Sequence, residues 1–275
     1  MSTLYVLSTP IGNLSDLSSR AKDILDNIEF VIAEDTRVSK KLFSNNQKKI
    51  KMVSVHDHSS LSKINQAIKL LNLGDTVLVS DAGTPGVSDP GAKVVKIAME
   101  KGHIIVPIPG ASAITTALSI CPWPTNKFTF LGFLPRKERE KIINLEEIVN
   151  ISGLIVFFES PHRIINTLQS IKTVMNDREV FICRELTKIH EETFTGKPSD
   201  AIKYFSNPKG EFTIIIKGNS SQKSRISDET ILKEISIARN KELIGRKIVD
   251  YVINNFSVSR SRVYRLEIQS RKQIT

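Results

Sequence analysis

Short apolar runs alternate with amphipathic stretches from the first residues onward, and this alternation limits the fold more than any other feature of the chain. Residues 4–8 read as a buried strand, 17–27 as a helix, Phe30–Ala33 as a strand and 39–45 as a helix. Residues 51–55 are a third strand. Residues 61–73 carry apolar side chains at 61, 64, 67, 68 and 71, a helical spacing that Gly74 ends. Residues 76–80 are again a strand, 92–101 a helix stopped by Gly102, 103–108 a strand and 112–119 a helix. Strands that alternate with helices imply a parallel sheet covered on both faces. Cys121-Pro122-Trp123-Pro124 interrupts regular structure, because two prolines in three residues remove donors and fix φ. A lobe boundary is placed there, with a first α/β lobe over 1–121 and a second over 122–218.

Beyond that boundary strands are expected at 128–134, 153–159, 179–185, 191–195 and 211–217. Only residues 186–190 separate two of them, so those two are expected to be antiparallel neighbours in a mixed sheet. Residues 218–222 (Gly-Asn-Ser-Ser-Gln) read as a linker, and from Asp228 onward the pattern is helical. The charge is uneven. Of a net +10, residues 219–275 supply +6 with 12 Lys/Arg against 6 Asp/Glu, while the other 218 residues hold 27 against 23. Arg260, Arg262, Arg265, Arg271 and Lys272 lie close together with only Glu267 opposing them. A basic module of this kind fits contact with nucleic acid better than a compositional drift does.

Several classes are disfavoured. Hydrophobic content of 40% and charged content of 25% are ordinary for a folded soluble protein. The two cysteines, Cys121 and Cys183, have no metal-like spacing, which fits a reducing cytoplasm. The N-terminus lacks the pattern of a signal peptide, and no apolar run reaches the length of a membrane span, so a cytoplasmic protein with no membrane partner is expected. There is no G-x-G-x-x-G after the first strand, no P-loop, no H-E-x-x-H and no G-x-S-x-G.

The chemistry is expected at loops that follow strands. Residues 81–91 (Asp-Ala-Gly-Thr-Pro-Gly-Val-Ser-Asp-Pro-Gly) come directly after a buried strand, where open α/β sheets place their ligand crevice. Three glycines and two prolines in eleven residues fix a shape suited to a ligand held by main-chain groups. An ordinary connection would be shorter. A second turn, Pro109-Gly110-Ala111-Ser112-Ala113, offers small walls for a planar base; alternatively Ser112 merely caps the next helix. Mixed charges end three strands: Glu34-Asp35-Thr36-Arg37, Glu159-Ser-Pro-His-Arg163 and Arg184-Glu185-Leu186-Thr187-Lys188. They read either as one shared site or as separate surface ion pairs. His56 and His58 beside Asp57 could handle a proton or a metal, but further ligands are missing, so an exposed loop is the plainer reading.

In order, T-P-I-G-N-L-x-D, E-D-T-R, S-D-A-G-T-P-G-V-S-D-P-G, P-G-A-S-A, E-S-P-H-R and R-E-L-T-K closely resemble the ribosomal RNA small subunit methyltransferase I family of the tetrapyrrole methylase superfamily. The resemblance runs from about residue 4 to 218, and the basic tail is similar to that family's helical extension. It implies a two-lobed tetrapyrrole-methylase-like α/β fold, with a parallel-sheet first lobe, a mixed-sheet second lobe and a small helical module over 219–275. It also implies S-adenosylmethionine as cofactor in the cleft between the lobes, commonly in a homodimer, with 16S rRNA or the small ribosomal subunit as partner and a cytidine 2′-hydroxyl as acceptor. By motif, Pro10, Ala82, Gly83, Thr84, Val87, Ser112 and Ala113 would line the cofactor. From the second lobe, Glu159 or the adjacent Phe158, Leu186 and Thr213 would approach it. Superfamily members often have Gly-Asp-Pro where this chain has Gly83-Thr84-Pro85, which leaves the role of Thr84 open.

A ribose hydroxyl is a poor nucleophile at neutral pH, so a base or an alkoxide stabiliser is expected. Asp81, Glu159 and Glu185 are candidate bases. Arg37, Arg163, Arg184 and Lys188, with Arg260, Arg262 and Arg265 of the module, are candidate RNA contacts. Two other readings share some of these features: a precorrin or uroporphyrinogen methyltransferase, against which the basic tail weighs, and a non-catalytic ribosome-assembly protein, which would need no adenosyl cleft.

Overall fold

The computed structural model describes residues 2–44, 49–56, 59–89, 91–219, 228–256, 258 and 260–272. The chain divides into two units, Met1–Gly218 and Asn219–Thr275. The first unit opens with β1 (Thr3–Leu7), α1 (Ser19–Asn27), β2 (Phe30–Ala33), α2 (Thr36–Ser39), β3 (Lys51–Ser54), α3 (Leu61–Ile68), β4 (Thr76–Val79), α4 (Gly91–Glu100) and β5 (Ile104–Ile108). Its strands form one sheet in the order β3-β2-β4-β1-β5, and every pairing is parallel. Apolar side chains fill both faces, as the short unbroken apolar runs require. Leu4, Ile32 and Leu78 pack with Ile64, Ile68 and Val94 on one side, and Leu7, Val31 and Val77 pack with Leu25 on the other. Truncating one of these, such as Ile32→Ala, should cost about 2–5 kcal/mol.

Helix ends follow local chemistry. The helix expected from residue 17 begins at Ser19, because Ser18 is extended and its hydroxyl accepts from Ala21 N at 3.2 Å. The one expected over 39–45 begins earlier, at Thr36, because Asp35 caps it through Arg37 N at 2.8 Å; it then tightens into a 3-10 turn over Lys40–Phe43. The one expected over 61–73 likewise changes to a 3-10 turn over Lys69–Asn72.

α5 (Ala113–Ser119) leads into the second sheet, which comprises β6 (Phe128–Phe133), β7 (Leu154–Glu159), β8 (Val180–Arg184), β9 (Glu192–Gly196) and β10 (Phe212–Ile216) in the order β6-β7-β10-β8-β9. The β6–β7 pair is parallel and the other three pairs are antiparallel, so the sheet is mixed. Three helices here went unread in the sequence: α6 (Glu138–Ile148), α7 (Ile164–Val174) and α8 (Pro198–Tyr204). α6 buries only a narrow stripe, Lys141, Leu145 and Ile148, among many charges. The sheets are joined by an apolar layer in which Ile11, Ile114, Ala117 and Leu118 meet Leu154, Val156, Phe181, Leu186 and Ile215.

The second unit holds α9 (Asp228–Asn240), α10 (Arg246–Asn255) and α11 (Arg260–Lys272) around a core of its own, in which Ile231, Ile235, Val249, Val252, Val263 and Leu266 are buried. Among the described residues no helix is long and apolar enough to cross a membrane.

Candidate active site

The chain leaves β1 toward the β2–β3 edge and leaves β4 toward β5, so the carboxyl ends of these neighbouring strands flank a topological switch point. Thr9 and Gly83 pair there across the ends: Thr9 N donates to Gly83 O at 2.8 Å and Gly83 N to Thr9 O at 3.1 Å. Gly83 has φ +80°, which a side chain would strain. The Thr84 hydroxyl lies 2.9 Å from that of Ser8 and reaches Ala111 O at 3.3 Å, tying the loop to β1 and to the turn before α5. Farther along, Asp89 Oδ1 accepts from Gly86 N at 2.5 Å and from Gly91 N at 2.9 Å. Pro90 lies outside the described residues.

At its other end the loop is fastened to the E-D-T-R segment. Asp35 N donates to Asp81 Oδ1 at 3.0 Å, and Asp81 N to Glu34 Oε2 at 3.3 Å. Desolvation, with the Asp35 charge adding to it, raises the Asp81 carboxyl above its ordinary value despite the Asp35 N–H and Arg37. Asp35 itself is held down to about 2 by its hydrogen bonds from the Arg37 side chain and backbone. Arg37 is spread over Asp35 on the surface of the first lobe, with Nη2–Oδ2 at 2.6 Å.

The second sheet brings two charged strand ends together. β10 returns between β7 and β8, so Phe212 pairs with both Glu159 and Arg184, and Thr213 with both Phe158 and Cys183. Glu159 is buried and fully engaged: it accepts from Ser160 N at 2.8 Å and from the Thr167 hydroxyl at 2.7 Å, and lies 3.2 Å from Arg163 Nε. Arg163 also donates to Leu134 O at 2.7 Å and Pro135 O at 3.1 Å. Burial pushes the Glu185 carboxyl up, but Lys188 at 2.8 Å, the Glu211 N–H at 2.9 Å and nearby positive charge prevail, and its pKa is lowered. Lys188 also reaches Glu211 at 2.7 Å. Arg184 donates to Lys209 O at 2.7 Å and is ion-paired with Glu192.

Thus the structure joins the E-S-P-H-R and R-E-L-T-K ends, whereas E-D-T-R joins Asp81 on the first lobe. The two halves meet where Gly12 lies against Leu186, Thr187 and Lys188, and where Gly132 of β6 approaches Ser88. Ala113, Phe158 and Leu186 share one apolar layer with Ile11. The sequence reading missed Ser8, Thr9, Gly12 and Thr187, although Thr9, Gly12 and Thr187 stand inside the quoted motifs. Asp57 and His58 lie outside the described residues, and among the described ones no His, Cys, Asp and Glu cluster could hold a metal.

A nucleoside-sulfonium ligand needs apolar walls for its base and donors for its polar ends, and the residues present fit it. Phe158, Leu186 and Ala113 supply the apolar part, and Val87 is exposed at the loop. Among the described residues the amides of Ala82, Thr84 and Leu186 donate no hydrogen bond. The Ser112 hydroxyl does not cap α5, contrary to the simpler expectation, and remains available. Thr187 Oγ1 is buried at the junction without a partner among the described residues.

Residues 3–201 match the family described as Tetrapyrrole (Corrin/Porphyrin) Methylases. Among solved structures, the methyltransferase CobJ aligns with TM-score 0.61 at 14% identity over 80% of this chain and 95% of its own. Uroporphyrin-III C-methyl transferase from Thermus thermophilus, complexed with S-adenyl homocysteine, aligns with TM-score 0.59 at 12% identity over 78% and 97%. These establish the fold. Closer relatives in sequence carry the name ribosomal RNA small subunit methyltransferase I. That of Rickettsia prowazekii is 37% identical over 96% of this chain and 95% of its own, and that of Synechocystis 35% identical over 98% of each. The chain belongs to the tetrapyrrole methylases and, within them, to the ribosomal RNA small subunit methyltransferase I family. Its class is that of S-adenosylmethionine-dependent methyltransferases.

Proposed function

We propose that the chain methylates the 2′-hydroxyl of a cytidine in 16S ribosomal RNA. The reading is carried by relatedness over the whole length, basic module included, to proteins named for small-subunit ribosomal RNA. The +6 charge of residues 219–275 supports a polyanionic substrate. A cytoplasmic location goes with that substrate. A homodimer belongs to the same proposal, and the exposed Phe128 and Phe133 on edge strand β6 give it apolar surface.

S-adenosylmethionine supplies an electrophilic methyl group on a sulfonium. The task of the protein is then to hold the acceptor oxygen in line and to take its proton. Pro10, Ala82, Gly83, Thr84, Val87, Ser112, Ala113, Phe158, Leu186 and Thr213 are proposed to line the cofactor. Of the three candidate carboxylates, Asp81 is the best placed to serve as base. Its Oδ2 has no partner among the described residues, and desolvation makes it more basic. Glu159 and Glu185 are occupied in holding Arg163 and Lys188, and we assign them positioning roles. Arg163, Arg184, Lys188, Arg260 and Arg262 are likewise paired with acids, so contact with phosphate would require sharing or exchange of those pairs. Arg265 is exposed with no partner among the described residues.

Mapping 2′-O-methyl groups in 16S rRNA from cells with and without the protein tests the reading. One cytidine should lose its mark. Transfer to a tetrapyrrole with no change in the rRNA, or failure to bind S-adenosylmethionine, would remove it.

A further inference from the structure

The second unit contains a groove of about 940 Å³ between α10 and α11, and its lining includes none of the proposed cofactor or catalytic residues. Tyr264 and Ile268, 58% and 38% exposed, stand along it on successive turns of α11, with Val249 opposite on α10. No other ring packs on Tyr264 among the described residues. Arg246, at the start of α10, is exposed and has no acidic partner among the described residues, whereas Arg260 is held by Asp250 at 2.6 Å. Glu267 also lines the groove; its side chain is 3% exposed and lies 3.6 Å from Arg239.

These features narrow the occupant. A free aromatic face beside an unpaired guanidinium suits a base and its phosphate, since bases stack on aromatic rings and phosphates pair with arginine. The Glu267 carboxylate, already paired with Arg239, puts negative charge at one wall and keeps the phosphate at the Arg246 end. An amphipathic protein helix would have to cover that carboxylate, and the +6 charge of the module favours a polyanion.

We propose that this groove holds one unstacked nucleotide of single-stranded RNA, its base against Tyr264 and Ile268 and its phosphate at Arg246. The proposal rests on the ribosomal RNA reading, and the experiment separates the two.

A fluorescein-labelled ten-nucleotide oligo-C RNA is titrated with the full chain and with Y264A, Y264F and R246Q, and anisotropy is read. S-adenosylmethionine affinity by calorimetry and methyl transfer to small subunits are measured on the same proteins. Loss of one base stack corresponds to roughly 5- to 100-fold in affinity, so Y264A should weaken oligo-C binding by that factor and Y264F by less than about twofold. R246Q should weaken it and reduce its salt dependence by about one phosphate contact. Cofactor affinity should not change in any variant. If Y264A binds oligo-C like the wild type while small subunits are methylated, the groove proposal falls and the functional reading stands. If binding depends on Tyr264 but no rRNA is methylated, the reading falls and the groove stands. A self-association that Y264A abolishes, with RNA binding unaffected, makes the groove a contact between copies and overturns the proposal.

Discussion

Gly12 and Lys188 touch across the junction of the two sheets: a Cβ built on Gly12 would stand 2.4 Å from Lys188 Cγ, and also 2.9 Å from Leu186 O. The lysine side chain could swing away, but the Leu186 carbonyl belongs to the backbone of the loop proposed to line the cofactor. Gly12→Ala should therefore separate the T-P-I-G-N-L turn from the R-E-L-T-K loop. Overpacking of this kind costs about 1–3 kcal/mol, or several degrees in Tm for a unit of this size. Affinity for S-adenosylhomocysteine should fall by about tenfold with it. A Gly12→Ala protein with wild-type melting and wild-type calorimetric affinity would show that the two loops need not touch.

Glu159 is tied to Ser160, Thr167 and Arg163 at the end of β7, with its side chain buried. Truncation to alanine leaves the buried Thr167 hydroxyl and the Arg163 guanidinium without their acceptor, at a cost of about 2–4 kcal/mol. Glutamine keeps the shape and an acceptor oxygen. Glu159→Gln should thus retain most of the stability and a measurable rate of methyl transfer, while Glu159→Ala loses both. If Glu159→Gln folds normally by calorimetric melting and binds the cofactor but transfers no methyl group, Glu159 is the base and the positioning role is wrong.

For Glu185, burial raises the carboxyl and its partners outweigh burial, so the folded value lies below the ordinary 4.5. A depressed carboxylate contributes stability that is complete above the unfolded pKa and is lost as pH falls through the folded value. The Tm difference between wild type and Glu185→Gln should therefore be full near neutrality and shrink below about pH 4.5. Lys188, which burial lowers but Glu185 and Glu211 raise overall, extends the same ion pair upward, with loss only above its ordinary 10.5. A Tm difference that grows on acidification would contradict the assigned direction. Methylation near pH 7 should retain cofactor binding in Glu185→Gln if the residue only positions Lys188.

Much of this arrangement was legible because it is periodic. All five strands of the first sheet and all five of the second fall within a residue or two of their apolar runs, and the 186–190 connection does join antiparallel neighbours. The fold family was also legible, through the ordered motifs. What escaped was nonlocal pairing. No periodicity states that β10 returns between β7 and β8, which sets Glu159 beside Arg184 across Phe212. Nor does it show that Asp81 is held by the amide of Asp35, 46 residues away. Arg163 looked available for phosphate because its carbonyl acceptors, Leu134 and Pro135, lie in a distant loop with no charged signature.

The basic module invites a deletion. The relative from Thermotoga maritima is 41% identical over 222 residues, which are 99% of its length but 79% of this chain, so a member of the family lacks about a fifth of what is present here. Methyl transfer should then survive removal of residues 220–275, while affinity for RNA should not. Those residues hold most of the chain's excess positive charge, and each lost phosphate contact lowers the slope of log affinity against log salt by about 0.7–0.9. The shortened protein should bind the cofactor within about twofold of the full chain, because the proposed cofactor residues all lie within Met1–Gly218. At 0.05 M salt its kcat/KM on small subunits should drop about tenfold or more, with a smaller loss at 0.2 M, because the full chain's steeper salt dependence narrows the gap as salt rises. Equal kcat/KM and equal salt slopes for the two proteins, measured by methyl incorporation into small subunits, would exclude the module from substrate binding.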